Sequence, residues 1–429
     1  MKPQNFEERL IWYFIIFTYV FYVMGILYPS SALLGWVLCL YLLIQRLFQT
    51  KNTPKNQRIY VPWVTWIWCM CMVITLFGTY VALDDFNFGL NDYLRGTLGW
   101  LTSSALLALF LFVGCLNIRP QLIYRAVCIL CVQSLGVIPI CYLGYYLKLP
   151  EIIYTSSVER FIQNGPIFYE VGLYSLEFGS EQVRLSLFTP WSPALGLVSC
   201  IYFFLVLQES SRTWRYMGLV GVIAMNLVSV SRLALICLPI VMFLVWFPTN
   251  IIRPKIQIGF GVIGVLAGLL STDIIYGFRD FVDTFNGSRA GSSQVRAALA
   301  RIAFKRWSEA PIWGHGIQEK GSKVVAKMPI GSHHTWFGLL FTKGIVGFIA
   351  LLLPMLCSFV DLAIKSQQSV NARVALSIFY TLCLFSFGEQ IDVLAYLCWP
   401  GLVMMGIAFK EKVPESVHVL KEFTSNTTS

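Results

Sequence analysis

Four histidines occur in 429 residues, and two of them, His333 and His334, stand together in Gly331-Ser332-His333-His334-Thr335-Trp336, where a long polar stretch gives way to an apolar one. An imidazole has an unperturbed pKa of about 6.5, lower beside positive charge, so at neutral pH it is mostly uncharged and can accept a proton from a hydroxyl. A helix cap is the competing role for a histidine at such a boundary, and position alone leaves both open. His315, in Ala310-Pro311-Ile312-Trp313-Gly314-His315-Gly316, reads as a turn residue, and His418 lies in the C-terminal tail, away from this chemistry.

The second chemical group is arginine. Arg232 stands in Val228-Ser229-Val230-Ser231-Arg232-Leu233-Ala234-Leu235, between two apolar runs with almost no loop. A guanidinium costs about 2.5–3.5 kcal/mol at the centre of a membrane span and less near its edge, which makes such a residue either a functional one or a snorkelling one. Arg184 stands alone just before another apolar run, ahead of Pro190-Trp191-Ser192-Pro193. The stretch 273–334 adds Arg279, Arg289, Arg296, Arg301, Lys305, Arg306, Lys320, Lys323 and Lys327 against Asp273, Asp280, Asp283, Glu309 and Glu319. That excess suits either a solvated face touching anionic headgroups or the recognition of a phosphorylated ligand. The guanidinium fork donates two parallel, charge-assisted hydrogen bonds to phosphate. With no carboxylate cluster of metal-binding spacing nearby, the arginines predict a lipid pyrophosphate held without metal or cofactor.

The elements that position these residues follow from composition. The chain is 57% hydrophobic and 13% charged with a mean hydropathy of +0.67, values that exclude an ordinary soluble domain. Apolar runs at 10–28, 31–47, 61–83, 97–116, 122–147, 193–207, 216–230, 233–247, 256–272, 335–363, 374–388 and 394–409 predict an all-α, polytopic membrane protein of about twelve spans, a single membrane domain over 1–429. The first run lacks a small-residue cleavage site and reads as a retained helix. Arg46, Lys51, Lys55 and Arg58, then Arg119 and Arg125, Arg212 and Arg215, Arg253 and Lys255, Lys365 and Arg373, and Lys410 and Lys412 fall in alternate loops, which places both termini in the cytoplasm. Nearly all of the 12 cysteines lie within spans, so neither a disulfide framework nor a zinc site is expected. The net charge of +10 is partly the positive-inside signal and does not imply nucleic acid.

Two outer segments, 148–192 and 273–334, are too long for simple connectors. Within the second, Val295, Leu299, Ile302 and Trp307 against Arg296, Arg301, Lys305 and Arg306 predict an amphipathic helix, capped at Ser292 or Ser293 and lying on the bilayer or over helix ends.

Between about 180 and 350 the chain resembles the bacterial O-antigen ligase and O-antigen polymerase superfamily. The resemblance rests on Arg184 through Pro190 and Pro193, on Ser229-Val230-Ser231-Arg232, on Pro311-Ile312-Trp313-Gly314-His315-Gly316, and on His333 followed eleven residues later by Gly344-Ile345-Val346-Gly347. The first 150 residues contribute only hydropathy. The resemblance implies a glycosyltransferase of the bacterial inner membrane, acting at the periplasmic face on an undecaprenyl-pyrophosphate-linked oligosaccharide. The acceptor is a growing glycan in an O-antigen or exopolysaccharide polymerase, and lipid A core in a ligase of lipopolysaccharide synthesis; a chain-length regulator is a further implied partner. The spacing to Gly344 selects His333 as the general base. Arg184, Arg232, Arg296 and Arg289 are the implied pyrophosphate ligands. One departure is His334, where many relatives carry asparagine. Gly338 after Trp336-Phe337 is similar to the exopolysaccharide-polymerase branch. A lipid-linked oligosaccharide flippase, the reading from another class, would place its basic residues along several spans in a central cavity, and a polymerase with an Asp base would lack the His-based motif.

Overall fold

The computed structural model describes residues 2–50, 58–160, 165–176, 182–250, 254–269, 275–277, 279–280, 290–321, 325 and 328–412. Helices dominate, and each apolar run of the sequence falls on one helix or a broken pair: α1 (Phe6–Ile16) and α2 (Thr18–Val23), α3 (Leu27–Leu47), α4 (Trp63–Asp85), α5 (Leu90–Thr102) and α6 (Ser104–Val113), and α7 (Pro120–Tyr146). After the first long segment come α8 (Ser192–Val206), α9 (Arg212–Val228), α10 (Arg232–Asn250) and α11 (Pro254–Leu269), then α12 (Ala290–Trp307), α13 (Thr335–Ser366), α14 (Val370–Phe385) and α15 (Ala395–Lys410).

Among the described residues five helical stretches are long and apolar enough to cross a bilayer: Leu27–Leu47, Trp63–Asp85, Leu90–Val113, Pro120–Tyr146 and Thr335–Ser366. Ser192–Val206, Arg232–Pro248, Val370–Phe385 and Ala395–Lys410 are apolar but shorter. Among the described helices α6, α8 and α15 are the most completely enclosed; every residue of α6 and nearly every residue of α8 and α15 is buried, with α15 packed on α6, α8 and α14. They form the centre of the bundle, and the longer helices surround it.

The segment 148–192 departs from an all-helical expectation. It folds into two small antiparallel hairpins, β1 (Ile152–Thr155) with β2 (Glu170–Gly172) and β3 (Ser175–Leu176) with β4 (Val183–Arg184). The Tyr22 hydroxyl donates to the Gly172 carbonyl at 3.0 Å, which ties the first hairpin to the top of α2.

The amphipathic helix exists as α12 but starts at Ala290, so Ser292 and Ser293 lie in its first turn and not at its cap. Leu299 and Ala303 are buried, and Ile302 and Ala303 pack with Ile330, Phe337 and Phe341, so α12 lies over the start of α13. Ion pairs gather at the far end of the bundle: Arg119 with Glu8 and Arg125 with Glu209, each at 2.7 Å, and Lys365 with Asp361 at 2.8 Å. These carboxylates meet the basic residues that the charge pattern placed in alternate loops.

The spacing between Pro311-Ile312-Trp313-Gly314-His315-Gly316 and Gly344-Ile345-Val346-Gly347 has a physical cause. At Gly344, with φ +59°, α13 breaks, and the 311–316 loop fills the gap with its own backbone. Ile345 N donates to Pro311 O at 2.9 Å and Val346 N to Ile312 O at 3.3 Å, while His315 N and Gly316 N donate to Phe341 O and Thr342 O. A Cβ on Gly344 would lie 2.2 Å from Ile312 O, and one on Gly314 would lie 2.5 Å from Gly344 N. The two motifs are halves of one junction, which holds the outer part of α13 in place.

Candidate active site

His333 sits in the left-handed region, φ +63°, immediately before α13. Leu187 at φ +51° and Val230 at φ +49°, in the motif segments around Arg184 and Arg232, adopt the same conformation, as do Asn87 and Lys148. Such backbone strain costs on the order of 1–3 kcal/mol per residue and persists where surrounding structure enforces it, often at functional sites. At Leu185 the enforcement is visible: its N–H donates to Val228 O at 3.1 Å, pinning the Arg184 strand to the end of α9 just before the Ser229-Val230-Ser231-Arg232 turn.

The two adjacent histidines have different surroundings. His334 caps α13, its Nδ1 accepting from Phe337 N at 3.3 Å, and burial holds its imidazole below the ordinary pKa of 6.5. Its ring packs on Phe337, centroids 4.3 Å apart. His333 instead faces Glu389, with Nδ1 3.8 Å from Oε2, and its ring meets Trp191 edge to face at 6.4 Å. His315 is enclosed between Phe86 and Phe341, its Nε2 3.3 Å from Glu309 Oε2 and its Nδ1 3.1 Å from Phe341 O. It therefore belongs to the loop that fills the α13 break. Arg306 bonds Glu319 and, at 3.1 Å, Glu309, and with His315 it holds the Glu309 carboxyl below the usual carboxylate range.

Glu389 is the residue that the sequence reading missed, and it organises the group. It lies in the turn between α14 and α15, and its side chain is 2% exposed. Oε2 accepts from Trp191 Nε1 at 2.9 Å, and Oε1 lies 3.5 Å from Arg296 Nη2. Arg296 Nη1 also donates to Gly388 O at 3.3 Å. The turn is fastened to α13 by Thr335, whose N–H donates to Ser386 O at 2.9 Å and whose hydroxyl donates to Glu389 O at 2.6 Å and accepts from Ile391 N at 3.1 Å. Trp336 Nε1 adds a bond to Ser386 Oγ at 2.9 Å. The signal available in the sequence was a carboxylate in Phe387-Gly388-Glu389-Gln390, a short link between two apolar runs, where an ionisable side chain is a functional candidate by default.

Among the expected site residues, His333 and Arg296 converge on Glu389. The Arg232 segment lies against the same turn, since a Cβ on Gly388 would be 3.0 Å from Leu233 Cδ2. Arg184 joins through its strand's bond to Val228 and through Trp191, seven residues on. Arg289 lies outside the described residues, as does His418. Among the described residues no three His, Cys, Asp or Glu side chains form a group able to hold a metal ion.

The cluster sets a buried carboxylate between a histidine and an arginine, with two further arginine segments nearby, an arrangement that can accept a proton beside an anion. Residues 217–352 match the family model described as O-Antigen ligase, a segment that holds Arg232, Arg296 and His333 but neither Arg184 nor Glu389. Over those residues the chain is similar to the O-antigen ligase family, the group whose motifs its sequence resembles. No curated protein matches it.

Proposed function

We propose that this protein is a glycosyltransferase that polymerises an undecaprenyl-pyrophosphate-linked glycan at the periplasmic face of the bacterial inner membrane, in O-antigen or exopolysaccharide synthesis. The observation that carries the reading is the His333–Glu389–Arg296 cluster. Glu389 faces Nδ1 of His333, which leaves Nε2 to take the proton of an acceptor hydroxyl. The hydroxyl oxygen then attacks the anomeric carbon as its bond to pyrophosphate breaks. Arg184, Arg232 and Arg296, with Arg289 as a further ligand, take up the charge on the departing oxygen. Direct displacement inverts the anomeric carbon, and because pyrophosphate is already a good leaving group the reaction needs no metal. The clustering of these residues at helix ends, around one turn, favours transfer over the transport reading, which requires basic residues along a central path.

A ligase that passes the glycan to lipid A core is the second reading, favoured by the match of residues 217–352 to the O-antigen ligase family. Lipid-linked intermediates separate the two. A deletion strain leaves single repeats on the lipid if the enzyme polymerises and accumulates long chains there if it ligates. His333→Ala should reproduce the deletion phenotype while the protein still inserts and binds donor, a loss of about 10²–10⁴ in rate for a general base. Polymer of near-normal length from His333→Ala would remove His333 from that role.

A further inference from the structure

The turn that carries Glu389 also presents two side chains that the transfer chemistry does not use. Phe387 is 63% exposed although Ser386 and Glu389 beside it are buried. Its ring stands at 90° to that of His334, centroids 5.9 Å apart. Gln390, on the other flank of Glu389, lies against Gly338: a Cβ there would be 2.7 Å from Gln390 Nε2 and 2.8 Å from Gly331 O. Only glycine lets the amide and the 331 backbone come so close to the helix. Gln390 Oε1 accepts from Nε2 of the exposed Gln318 at 3.2 Å. His334, the N-cap of α13, accepts at its carbonyl from Gly338 N at 2.9 Å, so the two stand one turn apart at the start of the helix. The aromatic contact and the amide pair are therefore laid along one stripe, beginning one residue after His333.

The chemistry of this stripe differs from that of the arginine cluster. A phosphate takes guanidinium forks. A prenyl chain takes an apolar wall, where exposed amides serve no purpose. Rings that offer a flat face, beside amides that each carry donors and an acceptor, suit a ligand with apolar C–H faces and neighbouring hydroxyls, which is a sugar ring. The hydrogen bond between Gln318 and Gln390 uses one donor and one acceptor, and their other amide groups bond to no described residue.

We propose that Phe387, His334, Gln318 and Gln390 form the subsite for the acceptor's sugar, holding a neutral pyranose so that its hydroxyl meets His333. This rests on the transferase reading and specifies which side chains select the acceptor. Phe304, 53% exposed and 6.2 Å from Phe337, extends the row of rings onto α12, where the next sugar of a chain would lie.

The test uses full-length protein in detergent and, as probe, the phosphate-free oligosaccharide released by hydrolysis from polysaccharide of the producing cells, with inorganic pyrophosphate as the second ligand. Phe387→Ala and Gln318→Leu alter exposed positions. Each should weaken oligosaccharide binding roughly tenfold, the worth of one ring contact or hydrogen bond, and leave pyrophosphate binding unchanged; Phe387→Trp should retain the sugar. Wild-type oligosaccharide affinity in both alanine and leucine variants would overturn the proposal. So would equal losses for sugar and pyrophosphate, or weakened binding of undecaprenyl phosphate alone, which would make Phe387 part of a membrane-facing belt. Binding is read without turnover, so a protein that binds the sugar at this stripe but transfers nothing sinks the transferase reading and leaves the subsite standing.

Discussion

Glu389→Gln isolates the role of the buried carboxylate, because the amide keeps the size and an acceptor oxygen for Trp191 Nε1 while removing the charge. When His333 takes the acceptor's proton its ring becomes a cation 3.8 Å from Glu389 Oε2. Two unit charges at about 4 Å attract by about 4 kcal/mol at an effective dielectric near 20. The ring is 25% exposed, so water at its open edge screens part of that, and about half is a reasonable figure. A loss of about 2 kcal/mol at the transition state is roughly 30-fold in kcat. Folding should suffer less, since Arg296 is 37% exposed and keeps its bond to Gly388 O. The assay is initial rate on purified enzyme with lipid-linked donor, beside a melting curve in the same detergent. A variant with wild-type kcat, in a background where His333→Ala is inactive, would refute the argument, because the carboxylate would then stabilise no charge formed in the reaction.

Arg232→Lys keeps the charge and loses the fork, so activity should fall nearly as far as in Arg232→Ala if the residue holds phosphate by two bonds; full activity with lysine would assign it to snorkelling. Gly344→Ala must adopt a backbone essentially reserved for glycine, φ +59° and ψ −159°, at about 1–3 kcal/mol, and push Ile312 O away, giving up bonds worth about 1 kcal/mol each; it should lower the melting temperature and activity together, and a fully stable variant would deny that the junction is tight. Turnover should persist in excess EDTA, and a strict demand for a divalent ion would point to ligands beyond those described. Ser308→Cys, at an exposed position after α12, should react with an impermeant maleimide in intact spheroplasts; reaction only after membrane disruption would invert the topology and remove the periplasmic site.

The helices were legible because a membrane imposes one demand, an apolar run, on every residue of a span. Each predicted run has its helix, yet among the described residues only five stretches have the length and composition to cross a membrane. Hydropathy cannot distinguish a helix that faces lipid from one such as α8 or α15, enclosed by protein over nearly its whole surface. The break at Phe17 was invisible because it interrupts the backbone within an apolar stretch, while those at Ser103 and Gly344 fall at Thr102-Ser103-Ser104 and Thr342-Lys343-Gly344, polar interruptions too short to divide an apolar run. The hairpins of 148–192 escaped because strands of two to four residues carry too few positions for an alternation to show.

At the site, spacing separated His333 from His334 for a reason that can now be given in bonds. The eleven residues from His333 to Gly344 measure the outer piece of α13, clamped at its start by Thr335 on the 386–391 turn and at its end by the 311–316 loop. The proposed base, His333, stands at the first clamp. What a linear motif cannot carry is the partner of that histidine, because Glu389 reaches His333 from a turn 56 residues further along the chain. The same turn binds Arg296 and Trp191, so one short link between two apolar helices joins residues from α12, from the first long segment and from the start of α13. Any substitution that shifts this turn should therefore disturb proton acceptance and arginine placement together, even where it touches neither histidine nor arginine.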